Sequence, residues 1–278
     1  MVEPSVPRRV EEDVTYQDII YEDLGTIVRI WHNRPAQRNA ESERLLAELD
    51  DAILRAGRDP NVRVVILAGK GEHFSAGHDV KDGTARRGDY TAEQVWDWEL
   101  EHYLGNAFRI WDLPKPTIAQ VQGACIAGGF MVANMCDLMV ASDDAFFSDP
   151  VAHSLAAAAV EALVHPWVLG LRKAKEFLFT GQRITAAEAK EWGMVNQVVP
   201  RAELEAVTLA LAERIAAAPP VAIRMLKRSL NRTFDIQGFR SSLQAHFDTH
   251  VLSHQTAEFK ATIAQGMEAS MKKAKAVG

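Results

Sequence analysis

The chain is predicted to fold as an α/β core followed by a helical C-terminal region. Strand-like apolar runs alternate with helical periodicities up to about residue 200. One of them, Val62–Leu67, is apolar apart from Arg63, much as strands buried on both faces of a sheet are. Beyond Pro200 the pattern is helical almost throughout 202–275, interrupted at Pro219-Pro220 and Gly238. These regimes divide the chain into a flexible segment (1–14), a core (15–200) and a helical region (201–278).

Tyr16–Tyr21 and Thr26–Trp31 flank Glu22-Asp23-Leu24-Gly25 and read as a β-hairpin. Between Glu43 and Arg58, apolar residues recur at 45, 46, 49, 52, 53 and 56, which is helical spacing with Ser42 as N-cap. After Val62–Leu67 comes a Gly-bearing loop and a helix over about 91–111, ended by Pro114 and Pro116. Thr117–Val121 is the next strand. A Gly-rich turn leads to a short helix around Gly129–Cys136 and a strand over Asp137–Ala141. A helix at Thr185–Trp192 and a strand at Val195–Val199 complete the alternation.

Composition narrows the function. With 278 residues, 47% hydrophobic and 24% charged, the chain has the balance of an ordinary globular protein. Its net charge of −6 and lack of a dense Lys/Arg run argue against a nucleic acid partner, though a few local cations would hold an anionic small molecule. Cys125 and Cys136 lie in an apolar stretch without metal-ligand spacing and read as buried thiols of a reducing compartment. No metal-ligand cluster is visible. The N-terminus lacks a secretory h-region and no apolar run nears the ~18 residues of a membrane span, so a cytoplasmic location is expected.

Two glycine-bearing loops carry the chemistry. Glu72–Asp79 follows the buried strand, and its small residues at 75–77 let the backbone approach a ligand. Gln122–Phe130 joins a strand to a helix N-terminus, where N–H groups are unsatisfied and the dipole is positive. Converging loops of this kind would aim two N–H groups at one oxygen that develops negative charge.

The strings HFSAGHD and QGACIAGGFMVANMCDLMVAS resemble the two signature segments of the crotonase (enoyl-CoA hydratase/isomerase) family. NRPAQRNA, AFFSDP, RKAKEFLFTGQRITAAEAKEWGMVNQVVP and QGMEASMKKA agree in order and spacing, so the resemblance spans roughly 15–275. It implies a spiral of ββα units with C-terminal helices that form trimers, often paired into hexamers. It implies an acyl-CoA substrate, with coenzyme A part of the thioester rather than a permanently bound cofactor. The oxyanion-hole amides fall on His78 and Gly128, the His78 imidazole either facing solvent or taking a direct chemical role. Ala36, Arg38, Ala76 and Asp79 fall near the nucleotide and pantetheine. Lys272, Lys273 and Lys275 match a basic terminal helix that either reaches a neighbouring subunit's ligand or is solvated.

The resemblance breaks at the proton-transfer glutamates. Their two positions hold Met131 and Val151, neither of which can carry a proton. Substitutes are Asp149, two positions before Val151, and Glu161, which is either a buried acid with a raised pKa or one that faces solvent or pairs with a nearby cation. His153 and His165 read as structural. Trp98, Glu99 and His102 belong to a helix that borders the family's acyl pocket; Glu99 and His102 share a face, more simply as a surface contact than as an acid–base couple. Ala156–Ala159 replaces a glycine-containing turn and predicts a longer or differently coiled helix. Hydration is doubtful on these residues. Isomerisation or another enolate reaction fits better, and a non-catalytic acyl-CoA-binding paralogue is the alternative.

Overall fold

A computed structural model describes residues 15–265. The segment 1–14 and Lys272, Lys273 and Lys275 lie outside the described residues.

The hairpin forms as its sequence predicts: β1 (Ile19–Asp23) and β2 (Ile27–His32) pair antiparallel through a turn in which Gly25 takes φ 83°. β2 then pairs in parallel with β3 (Val64–Gly69), which pairs with β4 (Thr117–Val121). With β6 (Leu138–Ser142) and β9 (Gln197–Val199) they make a six-stranded sheet of order β1-β2-β3-β4-β6-β9. A second sheet of order β5-β7-β8 joins Ala124–Ile126, Phe146–Ser148 and Ile184–Thr185. These strands have two or three residues each, too few to show a period of two in the sequence.

β3 is apolar throughout because both faces are covered. Val65 and Leu67 join the larger core with α1 (Glu43–Arg58), while Val64 and Ile66 pack under α10 (Leu204–Ala216) through Leu204, Ala212 and Ala216. The Ser42 side chain accepts from the Leu45 N–H at 3.2 Å and donates to Asp18 Oδ2 at 3.0 Å, tying α1 to the hairpin. Ser42→Ala should therefore lower stability by about 1 kcal/mol. An unchanged denaturant midpoint would show that this cap contributes nothing.

Three segments depart from the sequence reading. α2 (Val80–Arg87) was not expected, since it buries no residue and so leaves no apolar period. The single helix expected over 91–111 is α3 (Ala92–Glu99), a wider π-helical stretch (Leu100–Gly105) and α4 (Asn106–Asp112). The alanine run does not lengthen a helix. α6 stops at Ser154 (Val151–Ser154), and Ala156 and Ala159 take φ 57° and 59°, keeping the turn at the strain of a left-handed alanine.

α5 (Gly128–Asn134), α7 (His165–Leu169), α8 (Leu171–Thr180) and α9 (Ala186–Glu191) fill the core's connections. After α10 come α11 (Pro220–Ile236), α12 (Phe239–Ser253) and α13 (Ala257–Ala264). No single described helix is long and apolar enough to cross a membrane. α10 and α11 reach that composition only as a pair bent by 105°. α12 buries Phe239, Leu243, Phe247 and Val251 against the core and packs beside α3. It pins the turn before Glu161: His246, His250 and Ser253 bond to Val160 O, Ala159 O and the Ala158 N–H at 2.9, 2.9 and 3.0 Å.

Candidate active site

The two glycine loops meet. Ser75 and Cys125 form a parallel bridge, with the Ser75 N–H on Ala124 O at 3.1 Å and the Ile126 N–H on Ser75 O at 3.0 Å. Gly77 adopts φ 83°, and a Cβ there would lie 3.1 Å from the Gly128 nitrogen. Ala127, at φ 47° and ψ −112°, makes the abrupt turn into α5 and is strained to do so. A Cβ on Gly128 would come within 2.5 Å of both Glu41 Oε2 and His78 Cε1, so only glycine fits. Among the described residues, the His78 and Gly128 amides have no hydrogen-bond acceptor.

The His78 imidazole does not face solvent. It stacks on Tyr103 at 3.8 Å, with Nδ1 3.1 Å from Glu41 Oε2 and Nε2 3.0 Å from Glu161 Oε2. Burial by itself would lower its pKa, but the Glu161 and Glu41 carboxylates outweigh that and push it up to about 10. Glu161 is 3% exposed. The raised pKa of an isolated buried acid is not found; the other reading, pairing with a nearby cation, describes Glu161. Burial does push upward, yet the His78 and His250 charges hold Glu161 well below the usual carboxylate range. Burial and the neighbouring Glu161 charge push Glu99 up to about 7.

Glu99 and His102 do not form a surface pair. Glu99 is buried, 3.6 Å from His250 Nε2, whereas His102 turns back to Trp98 O at 2.8 Å and stacks on that indole. The π-helical stretch separates them, because it breaks the regular i, i+3 geometry. Trp98 meets Tyr103 edge-on and carries the Arg87 guanidinium over its ring.

Asp149 is not brought to this cluster. Oδ1 accepts from the Val151 N–H at 3.1 Å and Oδ2 lies 3.2 Å from His165 Nε2, both side chains fully buried. His165 stacks on Phe130 and His153 bonds to Phe179 O, which are structural positions as expected. Val151 is buried, and Met131 lines an apolar crevice with Leu46, Leu49, Ile53 and Ile110, with room for about one water molecule. Ala36 and Arg38 are exposed on the loop before Glu41, and Arg38 O accepts from the Ala76 N–H at 3.0 Å. Asp79 is engaged by the fold instead of open to a ligand: it caps α2 through the Asp82 N–H and pairs with Arg34 at 3.0 Å.

Sequence reasoning missed Glu41, Tyr103, His250 and His254. Glu41 directly follows the NRPAQRNA segment, but nothing local marks it as buried. The histidines left a readable trace, since His246, His250 and His254 recur every fourth residue along one helical face.

A family model described as enoyl-CoA hydratase/isomerase matches residues 22–277. A Mycobacterium tuberculosis relative with a provisional enoyl-CoA hydratase name, EchA13, is 40% identical over 267 residues, covering 89% of this chain and 82% of that relative. The crystal structure of a probable enoyl-CoA hydratase from Mycobacterium smegmatis is 48% identical with a TM-score of 0.81, covering 85% of this chain and 94% of the other. That of an enoyl-CoA hydratase/isomerase from Xanthobacter autotrophicus Py2 superposes with a TM-score of 0.87 at 33% identity, covering 94% and 98%.

Proposed function

Since the chain belongs to the enoyl-CoA hydratase/isomerase family and has its crotonase fold, we propose that it binds an acyl-CoA thioester and moves a proton through an enolate, with isomerisation favoured over hydration. The His78 and Gly128 amides donate to the thioester oxygen as negative charge develops there. The adjoining imidazolium of His78 adds a fixed positive charge. Glu161 is the base that takes the α-proton and returns it along the acyl chain, one carboxylate serving both steps. Ala36, Arg38 and Ala76 border the coenzyme A, with Arg38 free in the described structure to meet a phosphate.

One observation carries this reading: the Glu161 carboxylate is buried against the imidazole of the residue whose amide the reaction uses, at 3.0 Å. Holding that charge out of water is expensive, which supports chemistry over a binding role alone. Met131 and Val151, in contrast, offer a water nothing to be activated by. The enzyme works without a permanently bound organic cofactor, in the cytoplasm, as a trimer or a pair of trimers. Exposed Val221, Met225, Leu226 and Leu230 on α11 support the assembly.

The test is to compare turnover of a 3-enoyl-CoA with hydration of crotonyl-CoA. Isomerisation should exceed hydration by at least about 100-fold, the usual worth of one positioned acid–base group. Fast hydration would refute the preference, and tight acyl-CoA binding without turnover of either substrate would refute the enzyme.

A further inference from the structure

Behind the proposed reaction centre, α12 faces α3 with a second constellation. His250 Nε2 lies 3.6 Å from Glu99 Oε2, and His254 Nδ1 lies 3.9 Å from Glu99 Oε1. The three groups offer ligand atoms that all fall within 4.8 Å of one another. His250 is 3% exposed, and its Nε2, like Glu99 Oε2, is buried without a hydrogen-bond partner. The other ring nitrogen, Nδ1, is 2.9 Å from Ala159 O, which can only accept, so Nδ1 carries the proton. Nε2 therefore faces the carboxylates of Glu99 and Glu161, the latter at 3.4 Å; burial disfavours charge on the ring, but these two carboxylates favour it on balance. Two carboxylates converging on one dry nitrogen call for positive charge between them, supplied by a proton on Nε2 or, in its place, by a bound cation.

We infer that Glu99, His250 and His254 form a binding site for a borderline divalent cation of the zinc type. The spacing agrees with that chemistry. Metal–donor bonds of about 2.0–2.2 Å place tetrahedral donors about 3.3–3.6 Å apart, so side-chain shifts of up to roughly an ångström from the 4.8 Å spread close the site. His250 and His254 are i, i+4 on α12 and share one face. The Ala159 carbonyl supplies the outer hydrogen bond that metal-bound imidazoles use to fix their orientation. Ala159 holds it there from a left-handed turn pinned to α12. Two histidines and one carboxylate leave a fourth position open beside Glu161, and the ion would clamp α12 onto α3. The site does not depend on the acyl-CoA reading.

The test uses the full-length protein stripped with EDTA and desalted. Calorimetric titration with Zn2+ should give one site per chain. Co2+ should develop the intense visible bands of a four-coordinate ion, and Zn2+ should raise the melting temperature in a concentration-dependent way. His250→Ala and His254→Gln should each weaken binding by more than about 100-fold, exceeding the loss seen for outer-sphere partners. His102→Ala, on the same helical layer but turned to Trp98, should leave it unchanged. His254 is partly exposed, so its variant should keep a wild-type circular dichroism spectrum. Absence of Zn2+ and Co2+ binding, or undiminished binding in the folded His254→Gln variant, overturns the site and leaves a buried ion-pair cluster only.

Discussion

Glu161→Gln is expected to lower kcat for a 3-enoyl-CoA by about 10²–10⁴-fold while KM changes only a few-fold. The amide side chain keeps the volume and one hydrogen bond toward His78, so the pocket and the His78 and Gly128 amides stay in place. What disappears is the group that accepts a proton. Loss of kcat with retained affinity for a saturated acyl-CoA separates a proton carrier from a merely structural acid, which would instead change both or neither. Solvent deuterium exchange at the α-carbon gives the same answer without product formation. Exchange that persists at the wild-type rate in Glu161→Gln removes Glu161 from the mechanism.

The second large effect is on stability. His78→Ala should destabilise the fold by about 3–5 kcal/mol, because it leaves the buried Glu41 and Glu161 carboxylates without the cation between them. The backbone amide of residue 78 survives but the imidazolium charge does not, so the part of the catalytic loss caused by unfolding should recover at low temperature while a residual loss remains. The pH dependence has a definite sign. The folded-state pKa of His78, at about 10, is above its unfolded value of about 6.5, so folding takes up a proton between the two. Its contribution is complete below about pH 6.5 and is lost as pH rises through about 10. In EDTA, the melting temperature of the wild type should therefore fall more steeply from pH 7 to 10 than that of His78→Gln. Equal slopes would mean that the ring is not charged in the native state.

Much of the frame was legible because it rests on local rules. α1 and its Ser42 cap follow from apolar spacing and one hydroxyl, and β3 announced its two covered faces by having no polar residue. The free amides of the glycine loops were readable too, since strand–loop–helix junctions leave them wherever they occur, whereas the meeting of the loops followed only from the family resemblance. The cluster around His78 was not. Glu41, Glu161 and His250 come from three elements 120 and 89 residues apart in the chain, and no local pattern records a tertiary ion pair. Glu161 illustrates the limit. Its apolar neighbours correctly implied burial, but the direction of its pKa depended on imidazoles contributed from elsewhere. Asp149 failed in the opposite way: closeness in sequence to Val151 suggested a shared pocket, while its side chain turned to His165.

The turn at Ala156–Ala159 has a consequence for how such a protein changes over time. It is held at Ala158, Ala159 and Val160 by Ser253, His250 and His246, so the location of Glu161, the proposed base, is dictated by a helix from the far end of the polypeptide. A lineage altering α12 would retune the reaction centre without touching either glycine motif. Comparisons restricted to those motifs would then group together enzymes whose chemistries had already parted.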